Sequence, residues 1–127
     1  NHLKKLVANR DNCKKIERET TAQKESDLWH ILRQEMLTAS NFETVCRMKP
    51  TTSCETVVKN ILFSPSTDNK AMKYGRDMEE LAKKELATKL NKEIKVCGLF
   101  IDYENPFLAA SPDGLIDEND VIEIKCP

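Results

Sequence analysis

Ser111-Pro-Asp-Gly-Leu-Ile-Asp-Glu-Asn-Asp-Val-Ile-Glu-Ile-Lys-Cys-Pro127 is the stretch from which the rest of this chain is best read. A Pro-Asp-Gly turn sets Asp113 ten positions ahead of Glu123, which lies in the strand-like run Val121-Ile-Glu-Ile-Lys125. Strand side chains alternate faces, so Ile122 and Ile124 are expected to face a core. Glu123 and Lys125 then project together from the other side, about 7 Å apart at roughly 3.3 Å per residue. Asp117-Glu-Asn-Asp120 is short enough to close a hairpin between Leu115-Ile116 and that run.

Two carboxylates brought together can hold a hard divalent cation through oxygen ligands, with several waters retained. A lysine beside them can orient or deprotonate a metal-bound water, while the metal stabilises charge on a phosphoryl oxygen. These parts suit hydrolysis of a phosphodiester. The pattern resembles the PD-(D/E)xK nuclease motif, read here as Pro112-Asp113 and Glu123-Ile124-Lys125. The competing reading is a hairpin with an Asp-Gly turn and a solvated Glu/Lys face.

At 127 residues the chain is one domain or a piece of one. It stops directly after the proposed catalytic strand, which would leave a sheet edge uncovered, so it is expected to be the N-terminal part of a larger domain. Within it, residues 1–23 read as a peripheral helix, 24–92 as a helical part and 93–127 as the catalytic sheet. Net charge is −1 and the isoelectric point about 6.2, so no global basic field exists and any nucleic-acid contact must be local. Five cysteines form no CxxC pair and only two histidines occur, which argues against a zinc framework and suits a reducing compartment. No apolar run is long enough to span a bilayer, and an intracellular location, cytoplasm or nucleus, is expected.

Residues 2–18 carry Leu3, Leu6, Val7, Cys13 and Ile16 amid dense charge, the broken stripe of a solvated helix. Its Lys4, Lys5, Arg10, Lys14, Lys15 and Arg18 either approach a phosphate backbone or form only a solvated face. From Asp27 to Met36, Leu28, Ile31, Leu32 and Glu35 follow helical spacing, and Trp29 and Arg33 sit four apart on an adjoining face. Ser40 and Glu43 have capping-box spacing at the start of another helix, whose free N–H groups would make an anion site. Thr52 and Glu55 repeat that spacing ahead of a helix bearing Val57, Val58, Ile61 and Leu62. A surface loop over 64–69 follows.

The next helix spans about Lys70 to Asn91. At about 100° per residue, Tyr74, Met78, Leu81, Ala82 and Leu86 form its expected buried arc. Glu79 falls at the edge of that arc and Glu85 nearer its centre, so either could be a third carboxylate. Runs at 93–101 and 107–110 read as strands and, with 115–116 and 121–125, form a mostly antiparallel meander. Helices first and a sheet afterwards indicate an α+β fold with an antiparallel-to-mixed sheet.

Taken jointly, several blocks resemble the YqaJ-like viral recombinase family, relatives of lambda exonuclease within the PD-(D/E)xK superfamily. They are Ile16-Glu-Arg-Glu-Thr-Thr-Ala-Gln23, Leu28-Trp29, Arg33, Leu37-Thr-Ala-Ser-Asn-Phe42, Tyr74-Gly-Arg-Asp-Met-Glu79-Glu-Leu-Ala82, Ser111-Pro-Asp-Gly114 and Glu123-Ile-Lys-Cys-Pro127. The resemblance implies a restriction-endonuclease-like core and a Mg²⁺- or Mn²⁺-dependent deoxyribonuclease that degrades linear duplex DNA 5′ to 3′ from its ends, in recombination or repair. It selects Glu79 over Glu85. It implies that Asp113, Glu123 and the Ile124 carbonyl hold the metal, that Glu79 binds the metal or its water, and that Lys125 positions or activates the attacking water. Arg33 and Ser40, joined by Ser111, are implied to bind a terminal 5′ phosphate. A single-strand-annealing protein and a homotrimer are implied by analogy. Where the family tends to have glycine and a basic residue before Thr-Ala-Ser, this chain has Gln34-Glu35-Met36, and Glu35 is expected to weaken anion binding. Two rivals remain: a non-catalytic DNA-end-binding accessory module of the same fold, and an interaction domain whose carboxylates are structural and bind no metal.

Overall fold

Local sequence signals account for most of the helices. The computed structural model describes residues 1–63 and 70–126, so the loop expected over 64–69 and the final Pro127 lie outside the described residues. Six α-helices, a single 3-10 turn at Gln23–Glu25 and five short strands make an α+β fold among them: α1 His2–Arg10, α2 Cys13–Glu19, α3 Asp27–Glu35, β1 Leu37–Thr38, α4 Ala39–Cys46, α5 Glu55–Phe63, α6 Lys70–Leu90, β2 Phe100–Ile101, β3 Leu108–Ala110, β4 Gly114–Ile116 and β5 Asp120–Ile122. They divide between two compact units, residues 1–64 with 98–111, and residues 65–97 with 112–127.

In the first unit the expected helix over 2–18 is two helices. Asn1 caps α1 by accepting from the Leu3 N–H, and a turn at Asp11-Asn12 separates α1 from α2. Nor is this segment peripheral. Leu6 and Ile16 belong to one buried cluster with Trp29, Leu32, Met36, Leu99, Ile101 and Ala109. Thr20, fully buried, ends α2 by donating to the Ile16 carbonyl at 2.7 Å, and its hydroxyl accepts from the Leu99 N–H at 2.8 Å. The Gly98 N–H donates to Glu17 Oε1 at 3.0 Å. A Cβ on Gly98 would fall on the Glu17 carbonyl oxygen, so only glycine permits this approach.

These two contacts explain why the strand expected over 93–101 contracts to Phe100–Ile101. The N–H groups of Gly98 and Leu99 are taken by the side chains of Glu17 in α2 and of Thr20 just after it, and a ladder needs those donors. β2 then pairs antiparallel with β3, and β3 pairs parallel with β1, a strand not expected from sequence, in the order β1-β3-β2.

Ser26 caps α3 through the Trp29 N–H at 3.2 Å. The buried stripe of α3 runs through Trp29, Leu32 and Met36, while Ile31 is exposed, so the core-facing side is the one carrying the tryptophan. Neither capping box forms as expected. Thr38 stands at the cap of α4 and Ser40 lies inside its first turn, while Glu43 pairs with Arg47 at 2.7 Å. Before α5 the Glu55 N–H is accepted by Ser53 rather than Thr52.

The second unit consists of α6 and a hairpin. Asn91, at φ 52°, ends α6 in the left-handed conformation that stops a helix, and Lys92 reaches back to the Ala87 carbonyl. β4 and β5 pair antiparallel across Asp117, at φ 55°, which Lys92 ties down at 2.7 Å. Lys95 adds a two-way bridge to Leu115. The expected single meander is therefore two separate small sheets, one in each unit.

Candidate active site

The residues singled out from sequence fall into two clusters, one in each unit. In the first unit, Arg33 leaves α3 and donates to Ser40 Oγ at 2.8 Å, and Ser40 Oγ shares a 3.0 Å hydrogen bond with Thr38 Oγ1. The guanidinium carbon stands 4.2 Å from the Trp29 ring centroid, one turn earlier on the same helix, in cation–π contact. The indole N–H of Trp29 donates to Ser111 Oγ at 2.8 Å. Trp29 thus holds both Arg33 and Ser111, from a position 5% exposed in the core.

Burial pushes the Arg33 guanidinium below its ordinary range, the direction expected for a cation partly removed from water. Among the described residues no carboxylate forms an ion pair with it. A guanidinium carries five N–H donors, and Ser40 accepts from one nitrogen, so Arg33 keeps donors suited to a phosphate or carboxylate. The feared acid next to it is neutralised elsewhere: Glu35 pairs with Lys5 at 2.5 Å, reached from α1.

In the second unit, the expected strand 121–125 ends at Ile122 because Asp113 replaces the next ladder contact. The Asp113 N–H donates to the Ile122 carbonyl at 3.1 Å, and Asp113 Oδ2 accepts from the Ile124 N–H at 2.6 Å. The side-chain alternation persists: Ile122 and Ile124 are half-buried while Glu123 and Lys125 are exposed. Lys125 Nζ donates to Glu123 Oε1 at 2.8 Å. Lys125 is raised above its ordinary range, first by that hydrogen bond and the Glu123 charge, then by the charges of Asp113 and Glu79. The fields of all three carboxylates therefore converge on one lysine.

Glu79 sits on the sheltered arc of α6, which keeps Met78, Ala82 and Leu86 of the expected arc but not Tyr74 and Leu81. Gly75, Ala82, Leu86, Glu79 and Lys83 cluster within about 100° and are half-buried, whereas Tyr74 and Leu81 are exposed. Glu85, the competing choice, is exposed. Lys83, one turn after Glu79, contacts it at 3.2 Å and Glu80 at 3.5 Å. Burial alone would lower Lys83, but its hydrogen bond to Glu79 and the charges of Glu79 and Glu80 outweigh it, so the amine is raised.

Against known proteins, the sequence profile of the YqaJ-like viral recombinase domain matches residues 28–127. The chain belongs to the YqaJ-like family. Among solved structures, this YqaJ-like domain resembles the crystal structure of an alkaline exonuclease from Laribacter hongkongensis at 30% identity and a TM-score of 0.59. The alignment covers 75% of this chain and 50% of that one, so the chain spans about half the length of that relative. No curated protein is a significant sequence match.

Among the described residues of this YqaJ-like domain, no three Asp, Glu, His or Cys side chains converge closely enough to ligate one ion. Each carboxylate is engaged by a donor instead: Asp113 by the Ile124 N–H, Glu123 by Lys125 and Glu79 by Lys83. The donor set itself, three carboxylates with the Ile124 carbonyl, is hard oxygen and suits Mg²⁺ or Mn²⁺ rather than a soft ion. Sequence reasoning passed over Lys83 and Thr38. The Glu79/Lys83 pair was visible as an i,i+4 spacing of opposite charges, the arrangement that brings two side chains together on a helix.

Proposed function

We propose that the chain carries the DNA-cleaving machinery of a metal-dependent nuclease that works 5′ to 3′ from duplex ends in recombination or repair. The observation that carries this reading is the second-unit cluster, in which Asp113 is locked to the Ile124 backbone and the charges of Glu123, Asp113 and Glu79 all act on Lys125. Each of these carboxylates is held by a donor, and hard carboxylate oxygens on neighbouring elements are the donors that Mg²⁺ or Mn²⁺ takes. Membership of a viral recombinase family and likeness to an alkaline exonuclease support the same substrate class.

In this reading Asp113, Glu123 and the Ile124 carbonyl hold Mg²⁺ or Mn²⁺, with Glu79 beside them. The bound ion would supply Lewis-acid stabilisation of the phosphoryl oxygens. Lys125, hydrogen-bonded to Glu123 Oε1, positions or activates the attacking water. Asp113, fixed by two backbone hydrogen bonds, keeps its carboxylate in place without side-chain rearrangement. In the first unit Arg33, Ser40 and Ser111 take the terminal 5′ phosphate, Arg33 by charge-assisted hydrogen bonds and the serines by hydroxyl donors. Trp29 is a positioning residue for Arg33 and Ser111.

The lack of a three-ligand cluster among the described residues favours one alternative, a DNA-end-binding module of the same fold that does not cut. One experiment separates the two. The protein is incubated with 5′-phosphorylated linear duplex DNA in Mg²⁺ or in EDTA, alongside Lys125→Ala. Loss of the 5′-ended strand that needs both metal and Lys125 supports the nuclease; tight end binding without digestion selects the accessory module; neither binding nor digestion removes both.

A further inference from the structure

We infer that a second nucleic-acid site, a cleft for single-stranded DNA, lies where α1 meets α2 beneath Tyr103. This inference takes its ligand class from the reading of the chain as a DNA-acting protein. The cleft, of about 780 Å³, is lined by Arg10, Lys14, Lys15 and Arg18 and by Tyr103, with Asp11 and Glu19 also at its wall. Four basic side chains meet two acidic ones there, Lys15 lying 3.9 Å from Glu19, so in a chain whose net charge is −1 a local positive excess remains on Arg10, Lys14 and Arg18.

Tyr103 gives the cleft its preference. It stands on the turn between β2 and β3, held there by Asp102, whose carboxylate accepts from the Asn105 N–H at 2.6 Å, and the residue is 64% exposed. The Arg10 guanidinium lies 5.0 Å from the ring centroid, and Arg10 Nε is buried with no hydrogen-bond partner. Arg10 lies over one face of the ring, so a base would stack on the exposed remainder of Tyr103 or on the guanidinium plane, while the row of cations supplies charge for the backbone, the two things unpaired strands need. Bases of an intact duplex offer no free face, which points the cleft to the single strand. α1, α2 and the basic residues precede the matched family segment, which begins at residue 28.

The test is binding of a fluorescent oligo-dT to the protein in EDTA, so that no cleavage intervenes, across a salt series. The variants are Lys14→Glu with Arg18→Glu, both at exposed positions, and Tyr103→Leu against Tyr103→Phe. The paired reversal is expected to weaken binding at least about tenfold and to reduce the salt slope by about 1.4, for two phosphate contacts on a single strand. Tyr103→Leu is expected to lose about 5- to 100-fold, with Tyr103→Phe near wild type. Unchanged affinity and slope in wild-type-like folded variants overturn the cleft alone. An equal loss for duplex with no dependence on the Tyr103 ring makes it a duplex contact and overturns the single-strand assignment. Lost oligo-dT binding in the variants of a protein that digests no duplex keeps the cleft and removes the nuclease reading, whereas a wild type that binds no DNA removes both.

Discussion

The two units of this chain hold their proposed site residues in opposite ways. In the first, Arg33 and Ser111 are braced by a tryptophan that is itself part of the buried cluster, and the cluster draws on α1, α2, α3, β2 and β3. In the second, α6 has no fully buried residue, and Glu123 and Lys125 stand on an exposed hairpin edge. One cluster is preorganised by packing, the other by hydrogen bonds and mutual charge. Anion capture benefits from a fixed, partly desolvated guanidinium, because desolvation strengthens its attraction for a phosphate. In the proposed reading the carboxylates of the second unit accept a cation, for which access to water is an advantage because it screens like charges.

The sharpest way to break this contrast is to remove Lys125. Lys125→Ala is expected to cut strand release by about 10²–10⁴-fold, the range for a positioned proton-handling or water-orienting group, with little change in end binding. Asp113→Asn keeps an oxygen acceptor for the Ile124 N–H and should lose similar activity at nearly unchanged melting temperature. A large melting shift in that variant would make the carboxylate structural.

Next in size is Arg33→Gln. Charge-assisted hydrogen bonds contribute about 1.5–3 kcal/mol, so preference for 5′-phosphorylated over 5′-hydroxyl ends should fall by roughly 10- to 100-fold. Equal binding of both ends by the wild type would empty the first cluster of its role.

A pair of glycine substitutions compares the units as packing environments. Gly98→Ala drives a methyl onto the Glu17 backbone carbonyl and is expected to destabilise by about 1–3 kcal/mol, read by thermal or urea denaturation. Gly114→Ala meets the Ile94 methyl at 2.5 Å, a side-chain atom able to move, and should cost less. A reversed order would mean that the hairpin, not the helix contact, is the tighter packing.

The smallest effect is electrostatic. The raised pKa of Lys83 means that its ion pairs contribute below its ordinary value of 10.5, and the contribution is lost as pH rises through the higher folded value. Wild-type stability should therefore fall more steeply above about pH 10 than that of Lys83→Gln, measured by melting temperature. Parallel curves would show that the Glu79–Lys83 contact contributes nothing measurable, as many partly exposed pairs do.

Much of this arrangement is written locally in the chain. The alternation of Ile122 and Ile124 with Glu123 and Lys125 and the hairpin across Asp117 depend on neighbours within a few residues, so the sequence was sufficient for them, whereas the expected Pro-Asp-Gly turn is a bend at Asp113 from which Gly114 runs straight into β4. The α+β class and the family followed from the order of those blocks. What the sequence left open involved partners far along the chain. Leu6 and Ile16 looked solvated because the surfaces that bury them, at Trp29 and Leu99, lie well beyond any helical period. Only tertiary contact turned Thr20 and Glu17 to the N–H groups of Gly98 and Leu99, which shortened an expected strand, and divided one expected sheet into two. Only tertiary contact, too, set the sheltered side of α6 at Glu79 and Lys83. A helix's period fixes which residues share a face, but the neighbour it meets decides which face is covered.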